Sequence, residues 1–194
     1  LCDLDLLRTL PMREFRAGLA EVIKYGIIYD PKLFLRLERE MPKLLAHDPV
    51  TLSSVIARCC QIKAEVVGKD EREAGVRAIL NFGHTIGHGL EAIFAYGKYL
   101  HGEAISIGQV AAAKISEQHA GLSARDCARV ILLFKLAGLP THTKLTVPQT
   151  KQLFAAMQHD KKVSGGEIQF VLAKRIGQVV SGQNVKEAVV RQSL

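Results

Sequence analysis

Ser123-Ala-Arg-Asp-Cys-Ala-Arg-Val-Ile-Leu-Leu-Phe134, closed by Gly138-Leu-Pro140, carries the signs of one complete helix. Ser123 is an N-cap type, and Asp126 stands three residues on, as in a capping box. Cys127, Val130, Ile131 and Phe134 are spaced three and four apart, so they share one face. Gly138 and Pro140 supply the stop. A chain that arranges its apolar residues this way builds its core from packed helices.

The same signals recur outward from this stretch. Pro11 opens a segment running to about Tyr29. Asp30-Pro31 and Asp48-Pro49 each pair an N-cap with a proline at the first helical position, the second before a segment reaching about Lys69. Thr146-x-x-Gln149 and Asn184-x-x-Glu187 read as two further helix starts. Strand signals are confined to the alternation in Glu167–Ala173 and to Gln178-Val179-Val180, with Lys174-Arg175-Ile176-Gly177 between them. The expected fold class is therefore mainly α: one multi-helical domain over residues 1–194 with a small β-hairpin near residues 167–180.

Composition narrows the function. With 194 residues, 48% apolar and 23% charged, the chain buries a real core and is not disordered. Its longest apolar runs, such as Val130–Phe134, fall far short of the roughly 20 residues a bilayer span needs, so no membrane partner is expected. No secretory leader is visible, and the chain begins at Leu1, so either an end has been removed or this is one piece of a longer protein. The formal charge of +7 points to anionic partners. Nucleic acid is not expected, because the basic residues are scattered and no recognition motif accompanies them. Four cysteines without a C-x-x-C pair suit a reducing cytosol, so a cytoplasmic location is expected. No glycine-rich phosphate loop occurs, so the chain holds no nucleotide-cofactor domain of its own.

The densest chemistry lies in Arg77-Ala-Ile-Leu-Asn81-Phe-Gly-His84-Thr-Ile-Gly-His88 and in Leu100-His101-Gly-Glu103. His84 and His88 are four apart and share a helical face. His101 stands at the start of the next helix. Glu21 lies in a segment apolar enough to be largely buried, where a carboxylate needs a partner. Two readings are open: a salt bridge to Lys24, or a three-ligand metal site of one carboxylate and two imidazoles with a fourth position free. Lys24, Lys63, Arg77, Lys161 and Lys162, with Asn81, form a candidate anion clamp.

Taken together and in order, Glu21-Val-Ile-Lys-Tyr-Gly26, Leu80-Asn-Phe-Gly-His-Thr-Ile-Gly-His88, Leu100-His-Gly-Glu-Ala104 and Asp160-Lys-Lys162 resemble the carboxy-terminal half of 3-dehydroquinate synthase over essentially the whole chain. The resemblance implies Glu21, His84 and His101 as ligands of Zn2+, or of another divalent metal such as Co2+. It implies Lys24 and His88 as catalytic, with Lys24, Lys63, Arg77, Asn81, His88, Lys161 and Lys162 lining the substrate site. Leu6, Leu7, Arg8 and Thr9 would touch NAD, which an amino-terminal domain mostly binds. Residues 1–10 would be the junction to that domain, with exposed apolar surface near residues 1–20 and a homodimer in the full-length enzyme. The implied substrate is an anionic sugar-acid phosphate, 3-deoxy-D-arabino-heptulosonate 7-phosphate, converted to 3-dehydroquinate with loss of phosphate. The chain alone is then expected to be inactive. The competing readings are a related sugar-phosphate cyclase, a metal-dependent alcohol dehydrogenase domain, and a non-catalytic helical module.

Overall fold

A computed structural model describes residues 3–71, 75–95, 97–160 and 168–194. It contains α1 (Met12–Ile28), α2 (Pro31–Leu45), α3 (Pro49–Lys69), α4 (His84–Ile93), α5 (His101–His119), α6 (Ala124–Leu136), α7 (Val147–Asp160) and α8 (Glu187–Ser193). Short 3-10 turns cover Asp5–Thr9 and Val76–Asn81, and β1 (Ile168–Arg175) pairs antiparallel with β2 (Gln178–Val185). The mainly α architecture with one hairpin is as the sequence predicts. Among the described residues no helix is long and apolar enough to cross a membrane.

The helix starts follow from the caps. Asp30 accepts from the Lys32 and Leu33 amides at 2.9 and 3.1 Å, Asp48 from Thr51 at 2.9 Å, and Ser123 from Asp126 at 3.1 Å. Each satisfies amides that the first helical turn leaves without partners. At Ser123 the Asp126 carboxylate does not close the box; it accepts from Arg129 at 2.8 Å. Two expectations need correction. Asn184 caps nothing: it lies in β2 opposite Gln169, and α8 begins after Lys186. Strand β2 also continues past Val180 to Val185. Its Ser181-Gly-Gln-Asn184 run is too polar to read as a strand, but β1 supplies the pairing and buries the apolar face.

Two apolar cores form. In the first, α1, α2, α3 and α6 pack Ile23, Phe34, Leu37, Ile62 and Phe134. In the second, α4, α7, α8 and the hairpin pack Leu90, Met157, Phe170 and Val190. Helix α5 belongs to both. It gives Val110, Ala112 and Ala113 to the first, and Ala104, Ile107, Ala111 and Ile115 to the second.

Backbone approach fixes how α5 sits. A Cβ at Gly102 would overlap the Ala17 carbonyl of α1, and one at Gly108 would overlap the Gly83 carbonyl just before α4. Only glycine lets main chains meet this closely. The fully buried Gln109 adds a bond from Nε2 to the Ala20 carbonyl at 3.1 Å. The first turn of α5 is thereby held against α1 at Ala17, and its middle against Ala20 of α1 and the residue preceding α4.

Candidate metal centre and its surroundings

Three helices converge at the seam between the cores. Glu21 comes from α1, while His84 and His101 are the first residues of α4 and α5. One ligand atom from each lies within 4.8 Å of the others. A salt bridge to Lys24 does not preclude a metal site, because Glu21 uses its oxygens separately. Its Oε2 accepts from Lys24 Nζ at 2.6 Å. Its Oε1 is enclosed, has no hydrogen-bond partner among the described residues, and lies 3.6 Å from His84 Nε2. The expectation of a largely buried Glu21 is corrected: its side chain is 37% exposed, and Lys24 is the buried member of the pair. Lys24 hides its stem in the α1 interface while its ammonium reaches the carboxylate.

Electrostatics suit a cation. His84 Nδ1 lies 3.2 Å from the Phe82 carbonyl; donating there, it leaves the Nε2 lone pair toward Glu21. Burial first, and then the Lys24 charge, push the His84 pKa down to about 4 against the pull of Glu21. The imidazole is therefore neutral at neutral pH, the form that binds metal. Burial also lowers the Lys24 pKa, opposed by Glu21, and the nearby Lys63 charge lowers it further. His88 completes a triangle of rings, its centroid 5.3 Å from His84 and 6.1 Å from His101.

One partner of this cluster, Glu91, escaped sequence reasoning, and another, Glu103, was named without a role. Glu91 is 8% exposed, and both its oxygens face His101 Nδ1, at 3.1 and 3.2 Å. A signal existed: His84, His88 and Glu91 fall at i, i+4 and i+7, one polar stripe on an otherwise apolar helix. Glu103 accepts from the Leu100 amide at 2.9 Å and takes a two-pronged grip from Arg13 of α1 at 2.7 and 2.6 Å. Arg13 also donates to the Lys98 carbonyl at 3.2 Å.

Other candidates lie around this cluster. Arg77 donates from Nη1 to the Glu71 carbonyl at 2.7 Å. Asn81 lines a cavity of about 200 Å³ with Gln169 and Ser181 of the hairpin. Leu6–Thr9 form their own turn, with Thr9 Oγ1 donating to the Leu6 carbonyl at 2.7 Å. Leu7 and Leu10 line an apolar groove with Phe15 and Leu19, and Leu6, Leu10 and Met12 are exposed, as expected near residues 1–20. Lys161 and Lys162 lie outside the described residues.

The carboxy-terminal domain of 3-dehydroquinate synthase matches residues 18–163. The chain belongs to the 3-dehydroquinate synthase family. The 3-dehydroquinate synthase of Neisseria gonorrhoeae (strain FA 1090) is 46% identical over 194 residues, covering 100% of this chain and 54% of that protein. The 3-dehydroquinate synthase of Nostoc punctiforme is 46% identical over 196 residues, with the same coverage. The chain thus spans about half the length of the curated relatives it matches. Among solved structures, 2-epi-5-epi-valiolone synthase from Streptomyces hygroscopicus subsp. jinggangensis, with NAD+ and Zn2+ bound, superposes with a TM-score of 0.88 at 26% identity. It covers 98% of this chain, and this chain covers 53% of it. A 2-deoxy-scyllo-inosose synthase complexed with carbaglucose-6-phosphate, NAD+ and Co2+ shares the fold, with a TM-score of 0.83 at 24% identity over 98% of this chain and 54% of its own.

Proposed function

We propose that this chain is the metal- and substrate-binding half of a 3-dehydroquinate synthase, acting in the cytoplasm beside an amino-terminal NAD-binding half and within a homodimer. The observation that carries the reading is Glu21 Oε1, without a hydrogen-bond partner among the described residues, beside His84 Nε2 with His101 in reach. An enclosed carboxylate oxygen without a donor is unfavourable unless something positive meets it. One carboxylate and two imidazoles form a donor set for Zn2+, or for Co2+ in its place. When bound, such a cation supplies Lewis-acid stabilisation to substrate hydroxyl oxygens.

The chain's own residues do the rest. Lys24 and Lys63 present two ammonium groups to the carboxylate or phosphate of 3-deoxy-D-arabino-heptulosonate 7-phosphate. Arg77, Asn81 and the Lys161-Lys162 pair extend that anion clamp, Arg77 through its planar fork. His88, whose ring stands next to both candidate ligand imidazoles, takes or returns the proton of a substrate hydroxyl. NAD, contacted from this side by Leu6–Thr9, supplies reversible hydride acceptance. The product is 3-dehydroquinate plus phosphate. The 46% identity to 3-dehydroquinate synthases, against 26% to the valiolone synthase, favours this substrate over those of other cyclases.

Metal analysis and an assay for released phosphate test the reading. The unsubstituted chain is expected to carry one zinc, and Glu21→Ala and His101→Ala none. Joined to its amino-terminal half, the chain is expected to release phosphate with no net NADH, and alone to show no turnover. Unchanged zinc in either variant removes that residue from the centre; net NADH formation without phosphate release favours an alcohol dehydrogenase.

A further inference from the structure

Glu91 is a carboxylate in a place where carboxylates are rarely left. It sits on α4 in the same helical stripe as His84 and His88, with its residue 8% exposed. Burial of that kind demands a partner. Among the described residues its hydrogen-bond partner is a single atom: His101 Nδ1, at 3.1 Å from one oxygen and 3.2 Å from the other. The His101 side chain is 52% exposed, and it stands on the first residue of α5. Packing alone does not hold such a ring.

We infer that Glu91 is a positioning residue: it accepts the Nδ1 proton of His101 and thereby aims Nε2 at the Glu21–His84 side. The inference rests on the metal reading above. Its physical content is twofold. An imidazole donating from Nδ1 keeps its lone pair on Nε2, so the carboxylate selects the tautomer. A ring gripped by two oxygens also loses its freedom to turn before the metal arrives. His84 is treated in parallel, with a backbone carbonyl from Phe82 facing its Nδ1. The two ligand rings are thus aimed by different means, His84 by main chain and His101 by a side chain ten residues upstream across the α4–α5 connection.

A rival assignment has the same atoms. His88, Glu91 and His101 offer ligand atoms within 4.8 Å of one another and would form a second cation site sharing His101. The hydrogen-bond geometry favours positioning, because both Glu91 oxygens address the one ring nitrogen.

Cobalt titration of the full chain separates these cases, read from the visible absorption of bound Co2+ and without any assay of turnover. We expect one Co2+ per chain, with Kd raised about 10–100-fold in Glu91→Ala. Glu91→Gln, whose amide oxygen still accepts from Nδ1, should recover part of that loss. Glu21→Ala should bind none. If Glu91→Ala and Glu91→Gln bind cobalt as tightly as the unsubstituted chain while Glu21→Ala does not, the inference fails and the metal reading stands. Two Co2+ per chain, one of them lost in Glu91→Ala with the other unaffected, would make Glu91 a ligand and overturn the inference. No uptake by the unsubstituted chain, or full uptake by Glu21→Ala, overturns the metal reading and this inference with it. Should Glu91→Ala not fold, Glu91→Leu, which fills the space without an acceptor, takes its place: an unchanged Kd overturns the proposal and a raised one supports it.

Discussion

Helix α2 turns Leu33, Leu37, Met41 and Leu44 into the first core and leaves Lys32, Leu35 and Arg39 outside, whereas α5 is enclosed almost all round from Gly102 to Ser116. The first is positioned mainly by an apolar stripe, with a looser glycine contact at Gly26 against Phe34. The second is positioned by residues too small to keep its neighbours away, Gly102 against Ala17 and Gly108 against Gly83. His101 rides on the second kind of helix. The difference teaches where precision comes from: side-chain stripes tolerate adjustment, while main chain resting on main chain does not.

The comparison breaks first at Gly108. Gly108→Val would drive two methyl groups into the Gly83 carbonyl and the Gly87 amide, neither of which can yield. The expected outcome is no cooperative melting transition by circular dichroism; a Tm within a few degrees of the unsubstituted chain would abolish the distinction. Next comes Leu37→Ala, which leaves a cavity under the α2 stripe at a fully buried position. Urea unfolding should show a loss of about 2–5 kcal/mol with the fold intact.

The smallest effect sharpens the α2 side. Burial alone would raise the Asp30 pKa, but the Arg58 guanidinium at 2.7 Å and the Leu33 and Lys32 amides outweigh it and hold it below the ordinary carboxylate range. Asp30→Ala should cost about 1–2 kcal/mol at neutral pH. A depressed folded-state pKa means that the charge-dependent part of this stability is complete above the unfolded value of about 4 and fades as pH falls through the folded value. The gap between the unsubstituted chain and Asp30→Ala should narrow in urea titrations carried to lower pH.

The contrast between the helices also explains what was legible beforehand. Asp30, Asp48 and Ser123 advertise their helices because capping is local chemistry, and each makes the amide bonds it promised. The Cys127, Val130 and Phe134 face is buried as its spacing predicts. Glu21, His84 and His101 were legible as a set through family resemblance, and the fold does bring them together. Glu91 was legible only as a member of a polar stripe; its role was not, because that depends on a partner across a connection whose path no spacing reveals. The lower half of β2 was hidden for a related reason, since its Ser181–Asn184 run is defined by what β1 offers it. Glu21 was misjudged in burial because an apolar neighbourhood in sequence says nothing of which side of the helix faces the seam.

Arg13 and Glu103 deserve a last consequence. A helix usually frays at its ends, and a side chain on the opening residue samples many orientations. Here the first turn of α5 is riveted to α1 by Arg13 gripping Glu103 and the Lys98 carbonyl, while Glu103 also fastens the Leu100 amide. The imidazole at that tip thus begins from a stationary platform, and an ion arriving there has little chain disorder left to quench.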